Sequence, residues 1–408
     1  MTQYQITLNE EQIKALFLEK NGLKNLVEPV LNQVLEAQVT EHIGAEHYER
    51  SDERKAYRNG YRHRKITTRI GTLTLRIPQI REGQLDFQMF QRYQRSEQAF
   101  VLSLMEMVLQ GVSTRKVTAI TEELCGASFS KSTVSELCKN LDSIVNTWRT
   151  RPLSSQSYPF VMVDALVIKV RQNGMVRPNS VLIAVGVNED GHREILGFSI
   201  GDSESEATWN SLFLNLKNRG LSGIELVISD DHKGLVKAVQ RYFQGVVWQR
   251  CQVHFIRNVL GHSPKKYMPA ISSRLKEILE AKDKKTARNL AYELISEYEG
   301  RASDAMQCLE NGLEDVIAIL SFPKYYFRKL RSTNMVERLN EEIRRRERVI
   351  RIFPNEDSSI RLIGALLVEY DEKWISGRKY LNMEPLKMWK AESKQNNLKE
   401  ESKIIAIN

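Results

Sequence analysis

Three groups of carboxylates lie where acids are either costly or well placed for chemistry. Asp164 sits inside the apolar run "FVMVDALVIKV". A carboxylate in mid-strand among apolar neighbours is costly unless a partner or a metal compensates it, and no cap or turn role is available there. Asp230 and Asp231 end a second apolar run, "IELVISDD". Strand ends in α/β sheets are where ligands bind, although either acid could equally cap the helix that "KGLVKAV" begins. Glu337, Glu341 and Glu342 share the helical stretch "NMVERLNEEIRRRERVIRIFP"; Glu337 and Glu341, four apart, lie on one face. Acids of this kind suit a hard divalent cation such as Mg²⁺ or Mn²⁺, which takes oxygen ligands. Two such ions about 3.5–4 Å apart activate the attacking oxygen and stabilise the leaving one in an in-line phosphoryl displacement. Periodicity alone chooses neither between the two aspartates nor among the three glutamates.

Cys251 and His254 form a C-x-x-H pair. One Cys and one His are half a zinc site, and no partner pair is visible, so they read as a buried polar pair supporting the active-site strand. Arg344, Arg345, Arg346, Arg348 and Arg351 follow the glutamates. Glu341 and Glu342 can pair with Arg345 and Arg346 at i,i+4, and the arginines in excess of the local acids suit DNA phosphates. Trp248 reads as core. The chain has no GxxxxGKS/T stretch, so no nucleotide-powered step is implied. No Ser/His/Asp arrangement or nucleophile elbow is present.

The elements that must position these groups follow from the patterning. Residues 9–47 carry helical spacing, punctuated near Gly22 and Pro29. Residues 55–81 contain eight Lys/Arg and no acid, and their alternating second half predicts a two-stranded unit turning at Gly71. This one-sided block, with Arg58, Arg62, Arg64, Lys65 and Arg69 among Tyr57, Tyr61 and His63, fits phosphate contacts. Residues 96–150 are helical, and a glycine turn at Gly126–Ser128 before Lys131 resembles a helix-turn-helix. From 151 to 262 the order is three strands, helix, strand, helix, strand, which is that of a ribonuclease-H-like domain. Residues 263–330 read as a helical insertion, 331–385 as the last part of the core, and 386–408 as a polar tail.

Lys and Arg outnumber Asp and Glu by 60 to 51, a net +9 that favours an anionic partner. Four scattered cysteines read as reduced thiols. No signal peptide is visible at the N-terminus, and no window nears the ~20 apolar residues of a membrane span. The expectation is a soluble intracellular protein.

The segments "DALVIKVR", "ISDDHKGL", "CQVHFIRNV" and "NMVERLNEEIRRRERVIRIFP" together closely resemble the bacterial Mutator-type transposases, DDE enzymes with a ribonuclease-H-like core. "RNGYRHRKITTRIGTLTLRIPQIREG" and "GVSTRKVTAITEELCG" share the resemblance, which spans about residues 10–380. It implies that Asp164, Asp230 rather than Asp231, and Glu337 hold Mg²⁺ or Mn²⁺. It also implies cleavage at terminal inverted repeats by water, then attack of the freed 3′-hydroxyl on target DNA, without a covalent protein intermediate or ATP. The expected partners are double-stranded DNA and at least a second copy of the chain, because two ends must meet. The expected location is the bacterial cytoplasm, at the nucleoid. Two alternatives remain at this level: a metal-dependent nuclease without strand transfer, and a domesticated, non-catalytic DNA-binding regulator.

Overall fold

Residues 10–19, 22–50, 54–81, 98–125 and 131–405 are described by the structure, a computed structural model, and the chain divides after Asn140 into two units. The first unit opens with helices α1 (Glu10–Leu18) and α2 (Gly22–Ile43), followed by a hairpin of β1 (Arg58–Thr68) and β2 (Gly71–Ile80). Thr68 pairs with Gly71, whose φ of 114° suits only glycine. Ile66, Leu73 and Leu75 line one face of the hairpin and bury against Leu35 of α2. The β2 edge is also covered, because its Thr74 and Arg76 N–H groups donate to Glu28 and Asn32 of α2 at 2.9 and 2.8 Å. Pro29 does not punctuate; α2 runs through it. Three further helices, α3 (Gln98–Leu109), α4 (Thr114–Cys125) and α5 (Lys131–Cys138), share a small core of Phe100, Leu104, Val117 and Val134. The expected turn at Gly126–Ser128 lies outside the described residues.

The second unit begins with α6 (Leu141–Arg149) and then β3 (Phe160–Gln172), β4 (Met175–Val187), β5 (Arg193–Gly201), α7 (Glu206–Asn218), β6 (Leu226–Ser229), α8 (Lys233–Tyr242) and β7 (Val247–Arg250). These form a five-stranded mixed sheet of order β5-β4-β3-β6-β7, antiparallel among β3, β4 and β5 and parallel from β3 to β7. Alternation along β3 sorts its residues. Val161 and Val163 bury beneath α7 and α8 with Trp209 and Phe213, while Phe160, on the opposite face, meets the rings of Phe322 and Tyr326.

Helices α9 (Gln252–Gly261), α10 (Met268–Leu279), α11 (Lys284–Tyr298) and α12 (Ser303–Val316) bury a core of their own around Phe255, Leu275, Leu294 and Leu309. Gln249 ties it to the sheet, donating to the Val316 carbonyl at 2.8 Å and accepting from Ile319 N–H at 2.6 Å. The chain returns through α13 (Phe327–Leu330) to α14 (Asn334–Ile350), α15 (Glu356–Ile375) and α16 (Glu384–Ile405). Residues expected to trail as a polar tail thus form a helix, because Leu386 is buried and Trp389 stacks on Phe322 at 5.3 Å.

One buried anion stitches α6, β5 and α15. Asp371, 3% exposed, accepts from Trp148 Nε1 at 2.7 Å, Arg151 Nη2 at 3.0 Å and Ile195 N–H at 2.6 Å. Asp371→Ala would strand three donors, one of them charged. The expected loss is about 3–5 kcal/mol, read as a lower urea midpoint at unchanged slope.

Candidate active site

The parallel pairing of β3 with β6 matches Met162 with Ile228. Asp164 lies two residues further along β3 and Asp230 directly follows the last residue of β6, so the parallel pairing brings the two acids to neighbouring strands of the sheet. Asp231, one residue on, is engaged elsewhere: it forms an ion pair at 2.9 Å with Arg250, whose side chain is 8% exposed.

Glu337 arrives on α14, a helix pinned at both ends. At its start, Gln252 N–H donates to the Arg331 carbonyl at 2.9 Å, and the buried Thr333 donates its N–H to Cys251 Sγ at 3.5 Å, with its Oγ1 3.4 Å from the same sulfur. At its end, Phe353 pairs with β3 through Lys169 and Arg171. Between the pins, Asn340 Nδ2 donates to Asp164 Oδ2 at 2.8 Å, placing the helix on the Asp164 face of the sheet. Thr333 Oγ1 donates to Glu337 Oε1 at 3.2 Å, and His254 Nε2 lies 3.7 Å from the same oxygen.

The electrostatics at Asp164 are set first by burial and only then by neighbouring charges. Burial pushes the Asp164 carboxyl up to about 7; Asp230 and Glu337 add to the rise, while the Ala165 N–H and His254 oppose it. Cys251 and His254 polarise each other. Burial alone would raise the Cys251 thiol, but hydrogen bonds with His254 and Thr333 outweigh it and hold it below the ordinary thiol value. The bond to Cys251, against the ring's own burial, pushes the His254 imidazole up to about 9. The C-x-x-H pair thus cements the start of α14 and sets a cation beside Glu337.

The basic residues divide into two kinds. Arg344 and Arg348 are exposed, whereas Arg345 bonds Glu342 at 3.2 Å on the surface. Arg346, expected among the phosphate contacts, is only 4% exposed and grips Glu342 instead, since it lies on the stripe of α14 that carries Leu339 and Ile343 inward. In the hairpin, Arg62, Lys65 and Arg69 are exposed and Arg64 half-buried. Arg58 is committed to the chain itself, bonding Thr40 Oγ1 at 2.7 Å and the Ala45 carbonyl at 3.1 Å. Lys131 is the first residue of α5. Trp248 packs against the α7/α8 core and donates to Ser229 Oγ at 2.9 Å.

Sequence reading misses Glu204, in the turn before α7. It accepts from Trp209 Nε1 at 3.2 Å and lies 3.5 Å from His232 Nδ1. Burial, then the charge of Asp230, raises its carboxyl above the ordinary value. Nothing in "GDSESEA" signals this, because the proximity to Asp230 arises only in the fold.

Residues 1–377 match the family described as "Transposase, Mutator family", and the chain belongs to it. Among its relatives, the transposase for insertion sequence element IS256 in transposon Tn4001 of Staphylococcus aureus is 47% identical over 390 residues, covering 94% of this chain and 100% of the relative. The transposase for insertion sequence element IS1081 of Mycobacterium tuberculosis is 40% identical over 374 residues, covering 89% and 88%. Among solved structures, the Drosophila P element transposase strand transfer complex aligns over 75% of this chain and 86% of that chain, at 10% identity and a TM-score of 0.30, a slight likeness.

Proposed function

We propose that this protein is an insertion-sequence transposase that cuts DNA at the terminal inverted repeats of its element and joins the freed ends to target DNA. The observation that carries the reading is the placement of Asp164 on β3 and of Asp230 at the end of the adjacent β6, beneath a helix that carries Glu337. The mixed sheet of order β5-β4-β3-β6-β7, flanked by helices, supports reading the second unit as a ribonuclease-H-like core.

The donor set fits a hard divalent cation. It consists of carboxylate oxygens, and one carboxyl is held partly protonated near neutrality by burial and its anionic neighbours, a charge imbalance that a cation relieves. Asp164, Asp230 and Glu337 would hold Mg²⁺ or Mn²⁺, which when bound supplies Lewis-acid stabilisation of the phosphoryl oxygens and acidifies the attacking water. The chain's own groups do the positioning. Asn340 fixes Oδ2 of Asp164, Thr333 fixes Oε1 of Glu337, and His254 offsets the local negative charge. Arg344 and Arg348, exposed on α14, would take DNA phosphates beside the acids. Arg62, Lys65 and Arg69 of the hairpin, with Lys131, would bind the inverted repeats. Two ends must meet, so the working form is a dimer or larger, without ATP, in the bacterial cytoplasm. Among the described residues no helix is long and apolar enough to cross a membrane.

The test uses the full chain and DNA carrying the element's ends. Glu337→Gln is expected to bind ends like wild type and to cleave at least about a thousandfold more slowly. Joined products from the wild type distinguish a transposase from a nuclease; nicks alone would leave only the nuclease. A second prediction concerns binding. The pair Arg62→Ala and Lys65→Ala should weaken binding to any DNA and flatten the salt dependence by about one unit per lost phosphate contact. Arg58→Ala should instead lower stability by about 1–2 kcal/mol, visible in thermal melts without DNA.

A further inference from the structure

The C-x-x-H pair does more than brace α14, because its donors converge with Glu337. One donor atom each from Cys251, His254 and Glu337 lie within 4.8 Å of one another. Ligands about 2.0–2.3 Å from a tetrahedral zinc ion sit about 3.3–3.8 Å apart, and His254 Nε2 is 3.7 Å from Glu337 Oε1. Cys251 caps α9 and His254 follows within its first turn, so the sulfur and the imidazole are already side by side. The Thr333 N–H points at Cys251 Sγ at 3.5 Å, a donor that favours the thiolate, the form of sulfur that binds metal. Cys251 is buried, yet the His254 and Glu337 side chains are 29% and 32% exposed, which gives an ion a way in from solvent.

We propose that Cys251, His254 and Glu337 form a separate cation site, selective for a borderline-soft ion of the Zn²⁺ type, and that filling it withdraws Glu337 from Asp164 and Asp230. Thiolate and imidazole are poor ligands for Mg²⁺ and good ones for Zn²⁺. Three protein ligands leave a fourth position to water. The two sites would take different ions and share one glutamate, so the softer ion would act as a brake on cleavage. The binding claim stands on the donor geometry alone; the braking claim rests on the function proposed above for Glu337.

Cobalt is the probe, because a cobalt–thiolate bond absorbs in the near ultraviolet whereas zinc is silent. The metal-free full chain titrated with Co²⁺ should develop that band and saturate at about one equivalent. Cys251→Ser should abolish the band, and Glu337→Gln should weaken Co²⁺ binding by roughly tenfold or more. Absence of the band in wild type overturns the site and needs no variant to fold. A Glu337→Gln protein that binds Co²⁺ as tightly as wild type overturns the three-ligand site. Zn²⁺ added to Mg²⁺-supported end cleavage should slow the wild type at least tenfold; uninhibited cleavage by zinc-loaded protein overturns the brake. Should Glu337→Gln cleave like wild type, the catalytic reading of Glu337 falls while the cobalt spectrum stands, so the two failures are distinguishable.

Discussion

Asp164→Asn is expected to abolish end cleavage and, at the same time, to make the metal-free protein more stable at about pH 8. The unfolded carboxyl ionises near 3.8 and the folded one near 7. Between those values the folded state holds a proton that the unfolded state has released, so metal-free stability falls as pH rises through that window and levels off above about 7. About three pH units of separation correspond to roughly 4 kcal/mol at the upper limit. Asn cannot accept from both Asn340 and the Ala165 N–H, which returns about 1 kcal/mol. A net gain on the order of 2 kcal/mol remains at about pH 8, and little or none at about pH 4. Saturating Mg²⁺ should raise the melting temperature of wild type more at about pH 8 than at about pH 6, and that of the variant hardly at all. Thermal melts at these pH values, with and without Mg²⁺, decide it; a variant that melts lower than wild type at the higher pH refutes the burial account.

The second large effect separates two adjacent residues. Asp230→Asn should cost at least about a thousandfold in cleavage with the fold intact. Asp231→Asn should cleave within a few-fold of wild type, yet lose about 1–3 kcal/mol because the buried Arg250 guanidinium is left without its carboxylate. Cleavage assays paired with urea denaturation of both variants read the two effects separately. The opposite assignment, with Asp231→Asn dead and Asp230→Asn active, would overturn the role proposed for Asp230.

Much of this site is legible in the chain itself, and the rest is hidden for identifiable reasons. Asp164 announces itself because nothing local explains an acid among apolar strand residues. Asp230 and Asp231 look alike because what separates them is set by partners distant in sequence, β3 beside β6 and Arg250 against Asp231. The same holds for Glu204 near Asp230. Arg346 is a different case. Val336, Leu339, Ile343 and Arg346 fall on one helical stripe, so its burial could be read from spacing, but a run of arginines invites a common role. The polar composition of residues 386–408 conceals Leu386 and Trp389, the two contacts that anchor α16.

The helices α10–α12 lie between Asp230 and Glu337 along the chain, and this has a consequence for timing. Synthesis runs from the N-terminus and domains fold as they emerge. The hairpin unit, which ends at Asn140, can therefore fold before α14 is made, whereas the sheet with both aspartates shares its unit with α14 to α16. Under the proposed function, a nascent chain can hold DNA but cannot cut it until translation is nearly complete. A chain that terminates before Asn334 would be a binder without scissors, able to occupy the element's ends and block the full-length enzyme.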